Sequence, residues 1–263
     1  MTQLRRLVVC ADDYGLGPAV DRGILVLTEQ GRITAVSCLV TPPRWPAAAR
    51  ALQEGSVPTG LHFNLTEGEP VSAALRGVWP RFPALGTLIG LALRGRLPEG
   101  LAEEFQAQLQ RFVAAVGRAP DFVDGHQHVH ALPGVRPIVI AAAQSLGLPV
   151  RNTGRVLGPG FAFKRRVIEA CGGRALLGAM RSRGIGHAPA LVGVRGFHPR
   201  EDYRALVRGW LRATPDGALM FCHPALGAPD AGDPIAAARA GEMAYLGSDA
   251  FAEDLAEAGV TLA

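Results

Sequence analysis

Residues 7–31 read LVVCADDYGLGPAVDRGILVLTEQG, and they hold one complete β–α unit. Leu7-Val8-Val9-Cys10 is a short apolar run rich in β-branched residues, which suits a buried strand. Gly17-Pro18 supplies a cap and a first helical position, where proline's missing N–H costs nothing. Val20, Ile24 and Leu27 then fall on one helical face, and Gly31 ends the segment.

The same alternation recurs outward from this unit. Residues 35–40 and 59–63 are further strand candidates, separated by a short helix over 46–54. The clearest helix runs over 98–116, with Leu101, Phe105, Leu109, Phe112, Val113 and Val116 on one stripe, and Gly117 closes it. Strands at 122–123 and 149–151 flank a helix over 135–146. Residues 156–198 are less regular, with two short helices, and read as an insertion packed on the barrel within a single domain of residues 1–263. A helix over 200–212, a strand over 218–222, helices around Glu242 and over 249–258, and a strand over 260–262 complete the chain. Repeated β–α alternation over 263 residues predicts a parallel sheet covered by helices, open or closed into a barrel.

An apolar content of 48% supports a large core, and the formal charge is only +4. The 27 basic residues, with Lys164 the only lysine, are spread along the chain, which argues against a nucleic-acid partner. Cys10, Cys38, Cys171 and Cys222 are widely separated and form no CxxC pair. They read as reduced thiols in a cytoplasmic protein. The N-terminal apolar run is stopped at once by two aspartates, too early for a signal peptide, and no stretch approaches the ~20 apolar residues of a spanning helix.

Polar residues gather at the ends of the proposed strands. Asp12 and Asp13 follow LVVCA, His62 ends TGLH, Asp124 and His126 follow FV, Arg151 follows LPV, and His223 follows LMFC. In parallel α/β folds these ends converge on one face. The cluster DGHQHVH, residues 124–130, places His126, His128 and His130 at alternate positions, but Pro133 and Gly134 suggest that the strand is already ending. At most one or two of the three should reach a common ion. Asp124 suits positioning the turn or an imidazole, while His187 and His198 suit a surface or substrate loop. A carboxylate with two imidazoles suits a divalent ion with open positions left for water and substrate. A second carboxylate and a further histidine supply proton transfer, the equipment of metal-assisted hydrolysis.

In this order, ADDYGL, GLHFNLTEG, DGHQHVH and FCHPA resemble the motifs of the YdjC-like carbohydrate deacetylases, the family of chitooligosaccharide deacetylases and of a hopanoid-associated branch. The resemblance runs from residue 7 to about 246 and is weakest over 156–198. It implies a distorted, TIM-like (β/α) barrel that removes acetyl groups from N-acetylated sugars with one divalent metal ion. Carried over by motif, the metal ligands are Asp13, His62 and His126. Asp12 is the general base, and His223 is the general acid or stabilises the oxyanion. Arg151 is read as orienting Asp12 or holding substrate. His128, Asn64 and Tyr14 are read as substrate contacts or supports of the ligands. The donor set accepts magnesium or zinc.

The segment LGTLIGLALRGRL, residues 85–97, is unusually apolar between two barrel elements. It reads as a core helix, or as a lid or membrane-surface patch that accepts a lipid-linked amino sugar. The substrate is expected to be a small molecule or oligosaccharide, the protein cytoplasmic or peripheral to the inner membrane surface, and a homo-oligomer is compatible with the sequence. Two rival readings are an amidohydrolase acting on a cyclic amide, whose HxH motif usually comes early in the chain, and a sugar-binding barrel without chemistry.

Overall fold

The computed structural model describes residues 3–53, 55 and 57–263. The first half of the chain forms β1 (Arg5–Tyr14), α1 (Pro18–Glu29), β2 (Ala35–Cys38), α2 (Trp45–Ala48), β3 (Thr59–Phe63), α3 (Ala73–Arg76), α4 (Leu85–Leu93), α5 (Leu101–Val116) and β4 (Val123–Gly125). The second half forms α6 (Arg136–Leu146), α7 (Ala162–Ile168), α8 (Arg174–Ser182), β5 (Leu191–Val192), α9 (Tyr203–Ala213), β6 (Ala218–Cys222), α10 (Ala236–Leu246), α11 (Asp249–Glu257) and β7 (Val260–Leu262).

All strand pairs are parallel, in the order β4-β3-β2-β1-β6-β5, with β7 also on β1. The free edges, β4 and β5, are linked by a short irregular segment. Val150 bridges Val123 at one end, and Val156 bridges Leu191 at the other. The Arg151 N–H donates to the Val123 carbonyl (3.1 Å), and the Leu157 N–H donates to the Leu191 carbonyl (2.9 Å). The sheet therefore curls into the expected distorted TIM-like barrel, with single bridges where a full strand would stand. The expected strand at 149–151 is reduced to one of those bridges. Within residues 156–198, Val156 and β5 belong to the barrel wall, α8 packs on the core through Leu176, Leu177 and Met180, and α7 buries none of its residues.

Burial explains the regularity of the central strands. β2 and β3 are buried at every position, so their backbone groups must be satisfied by neighbouring strands. Outside them, α5 lays Phe105 against Phe63 with ring centroids 5.0 Å apart, and Phe112 stacks on Trp45 at 5.9 Å. Val113 was expected in the same stripe but is 39% exposed. It lies one residue, and so about 100° of helix, beyond Phe112. The expected helix over 46–54 is α2 followed by a 3-10 turn at Ala49–Leu52, and its last residue, Glu54, lies outside the described residues.

The apolar segment 85–97 forms α4, with only Leu88 and Ala92 buried. The core reading holds for one face of that helix. Leu85 and Ile89 border the cleft described below, and Leu93 is 59% exposed.

Candidate metal centre

β1 pairs regularly with β2 as far as Ala11, opposite Val36, and then its register shifts before Tyr14 meets Cys38. Asp12 and Asp13 occupy that irregularity. Asp13 takes φ 72°, a left-handed conformation that costs a non-glycine residue on the order of 1 kcal/mol or more. Adjacent residues of a regular strand face opposite sides, whereas here both carboxylates reach the same end of the barrel. On the neighbouring strands, parallel pairing sets His62 opposite Asp124.

The inner part of the site is built around Arg151. Its guanidinium donates to both oxygens of Asp12 at 2.6 Å. It also lies 2.5 Å from Asp124 Oδ2 and 3.2 Å from Cys10 Sγ. Cys10, Asp12 and Asp124 are close enough to share an ion, yet the arginine already supplies the positive charge there. Burial pushes the Cys10 thiol well up, away from the thiolate a metal would need.

The outer part is built around Asp13. His62 Nδ1 lies 2.6 Å from Asp124 Oδ1 and 2.8 Å from Ser37 Oγ. An ionised carboxylate only accepts, so Nδ1 is the donor and Nε2 is turned to Asp13 Oδ1, 3.6 Å away. Burial works against a charged His62, but the carboxylates of Asp124, Asp12 and Asp13 outweigh it and raise its pKa. His126 Nδ1 approaches the same Asp13 oxygen at 2.9 Å. Asp13, His62 and His126 each offer a ligand atom, all within 4.8 Å of one another.

Among the described residues, Asp13 Oδ1 makes no hydrogen bond, although it is buried. Its other oxygen accepts from Arg239 Nη2 at 2.7 Å. Burial would raise the Asp13 carboxyl, but Arg239 and His126 hold it well below the usual carboxylate range. A buried anionic oxygen faced by two imidazole nitrogens, with no hydrogen bond between them, is the arrangement a divalent cation completes. The donor set fits such an ion.

The three clustered histidines separate because the strand stops. β4 ends at Gly125, where a Cβ would come within 2.8 Å of the His130 backbone nitrogen. A 3-10 turn, His126–Ala131, follows, in which Gln127 and His128 take φ 52° and 64°. His126 reaches Asp13. His128 lines the cleft with its ring edge-on to Phe221, 5.4 Å away, and burial pushes its pKa well down. His130 is fully buried and donates from Nε2 to the Arg151 carbonyl (3.1 Å), and burial pushes its pKa to about 4.

His223, at the end of β6, faces the same space. Its backbone N–H donates to Glu242 Oε2 at 2.5 Å. Phe197 and Phe221 meet its ring edge-to-face at 5.1 and 5.5 Å. Burial pushes the His223 pKa down to about 4 and raises Glu242 to about 7. The cleft encloses about 450 Å³ and brings together Asp12, Asp13, His62, His126, His128 and His223. Much of the opposite wall is aliphatic, including Leu16, Leu85, Ile89, Leu132 and Val167.

Three expected residues stand outside the cleft lining. Arg151 is buried behind Asp12, where it orients that carboxylate and has no surface for substrate. The polar atoms of Tyr14 and Asn64, read as substrate contacts or supports of the ligands, are taken up by bonds within the fold. The Tyr14 hydroxyl donates to the Ala48 carbonyl (2.8 Å). The Asn64 amide donates to Thr41 Oγ1 and the Glu67 carbonyl, and its oxygen accepts from the N–H groups of Thr66 and Glu67.

Sequence reasoning missed Arg239, which grips Asp13, and Glu242, which grips the His223 backbone. They sit three residues apart on α10, and both are buried. Two charges at that spacing on the apolar side of an alanine-rich helix were the available signal. Asp230 was also missed. It lines the cleft and accepts from the Ala19 and Val20 N–H groups at the start of α1.

A family model described as YdjC-like protein matches residues 6–257. A mouse protein named carbohydrate deacetylase is 38% identical over 205 residues, covering 72% of this chain and 66% of the mouse protein. A Serratia marcescens protein named chitooligosaccharide deacetylase is 37% identical over 148 residues, covering 55% of this chain and 58% of that protein. The matches thus span two thirds or less of these relatives' lengths. A crystal structure of a cellobiose-phosphate cleavage candidate from Enterococcus faecalis V583 superposes with a TM-score of 0.78 at 21% identity, over 99% of this chain and 97% of the other, and shares the fold.

Proposed function

The chain belongs to the YdjC-like protein family, and on that footing we propose that it is a metal-dependent hydrolase that removes the acetyl group from an N-acetylated amino sugar. The observation that carries this reading is the meeting of Asp13, His62 and His126 within 4.8 Å on a cleft that also holds Asp12 and His223. The names of the relatives, carbohydrate and chitooligosaccharide deacetylase, support the same chemistry.

A zinc or magnesium ion held by Asp13, His62 and His126 would supply Lewis acidity, acidifying water and polarising the amide carbonyl. The protein's own residues do the rest. Asp12, fixed by the two bonds from Arg151, accepts the proton of the attacking water. The new C–O bond forms as the amide carbonyl becomes an oxyanion. His223 is neutral in the free protein near neutral pH, since burial pushes its pKa to about 4. Negative charge growing on the substrate oxygen raises its proton affinity, so it takes up a proton from solvent and delivers it to the nitrogen as the C–N bond breaks and the amine leaves, while Asp12 returns its proton to solvent. Glu242 and the two phenylalanine rings fix its position. The products are acetate and a free amino sugar.

An N-acetylglucosamine-type oligosaccharide or glycolipid is the proposed substrate. The aliphatic wall of the cleft supports the glycolipid form, in which it would cover an apolar aglycone. The helices between Val156 and β5 are read as the insertion that builds part of this wall, through Lys164, Val167, Ile168 and Cys171. The free cysteines support a reducing, cytoplasmic setting.

Acetate release from N-acetylglucosamine, chitooligosaccharides and lipid-linked N-acetylglucosamine, each with and without a chelator, tests the reading. Release that stops on chelation and returns with zinc or magnesium is the expected result. No release from any of the three, or release indifferent to chelation, overturns it.

A further inference from the structure

We propose that the rim of the cleft formed by α4 and α7 is a docking surface for an anionic lipid bilayer. On α4, Leu85, Ile89 and Leu93 follow one another at i, i+4 and i+8. The first two line the cleft, and Leu93, beyond them, is 59% exposed. On α7, Val167 lines the cleft, and Phe163, one turn away on the same face, is 81% exposed. No other large apolar side chain among the described residues is so exposed. α7 buries none of its residues, and α4 buries only Leu88 and Ala92. Each helix therefore carries an apolar stripe from the mouth of the cleft outward into solvent.

The charge around these stripes points to the occupant. No acidic residue occurs over 70–98 or 125–168. Those segments carry exposed Arg94 and Arg96 after α4, and half-buried Arg165 and exposed Arg166 on α7, while the Lys164 ammonium is turned inward to the Arg195 carbonyl (2.7 Å). Four arginines thus follow or lie on the two helices, with no carboxylate in the same segments to neutralise them. Exposed apolar side chains flanked by arginines that are unpaired among the described residues match a lipid interface, where the cations meet phosphate headgroups and the apolar groups enter the acyl boundary. Among the described residues no helix is long and apolar enough to cross a membrane.

This inference goes beyond the deacetylase reading, and its readout is binding, so either can fail alone. The purified chain is sedimented with vesicles of phosphatidylcholine and with vesicles of phosphatidylcholine mixed with phosphatidylglycerol, at low and high salt. The expected result is binding to the mixed vesicles that weakens with salt. Replacing Arg165 and Arg166 together by Gln should weaken it about thirtyfold, and Phe163→Ser about tenfold. None of these three residues lines the cleft, so acetate release from a soluble substrate is unchanged and reports intact folding. Failure to bind mixed vesicles, equal binding to phosphatidylcholine alone, or variants that bind as the parent does overturns the proposal.

Discussion

Two carboxylate clusters stand side by side at the ends of the same strands, and their charge is balanced in opposite ways. In the inner one, Asp12 and Asp124 share Arg151, a cation that belongs to the chain and cannot leave. In the outer one, Asp13 receives one arginine on Oδ2 and shows its other oxygen to two imidazoles without a hydrogen bond. The inner cluster is satisfied by the fold, whereas the outer one is left for an exchangeable ion. Asp124 ties them together, because it holds Arg151 on one side and turns His62 toward Asp13 on the other.

The largest effect should come from the outer cluster. Asp13→Ala is expected to lower acetate release by roughly a thousandfold or more, since the charge stabilisation a catalytic ion supplies is worth several kcal/mol. In the inner cluster, Asp12→Asn should lower kcat by about 10²–10⁴-fold with metal content unchanged, because it removes a base and no ligand. Equal loss of metal in both variants, measured by elemental analysis, would erase the distinction between the clusters.

Arg151→Met tests the inner cluster as structure. It leaves two buried carboxylates uncompensated and should cost about 3–5 kcal/mol of unfolding free energy in urea titration. A smaller effect comes from pH. The raised pKa of His62 means that a proton occupies Nε2 to higher pH than in an ordinary histidine, and an incoming ion must displace it. Metal affinity measured by calorimetry should therefore rise with pH, by up to about tenfold per unit, and level off once His62 is neutral. Affinity that falls with rising pH in this range would contradict the assignment of Nε2. Smallest of all, Tyr14→Phe should cost about 1 kcal/mol of stability through its lost bond to the Ala48 carbonyl and leave acetate release unchanged.

The barrel and the meeting of its strand ends were legible because strand and helix periods are local. LVVCADD, TGLH and LMFCH each show an apolar run stopped by a polar residue, and the family motifs add to that pattern. The separation of His126 from His128 and His130 was only hinted at by Pro133-Gly134, since it depends on left-handed backbone at Gln127 and His128. The closing segment was harder, because residues 150–156 hold the wall by single bridges, and its buried Arg151, Asn152 and Thr153 do not read as a strand. Arg239 lies 226 residues from the Asp13 that it grips, a distance across which no period carries information. Tyr14 and Asn64 stand close in sequence to Asp13 and His62, but their side chains bond to the surrounding fold and lie outside the cleft lining.

The most direct test of the two-cluster account is metal content per chain after dialysis against zinc or magnesium, for the parent protein, Asp13→Ala and Asp12→Asn. One ion per chain in the parent and in Asp12→Asn, with none in Asp13→Ala, is the predicted result. An ion retained by Asp13→Ala but lost from Asp12→Asn would place it in the inner cluster and contradict the account.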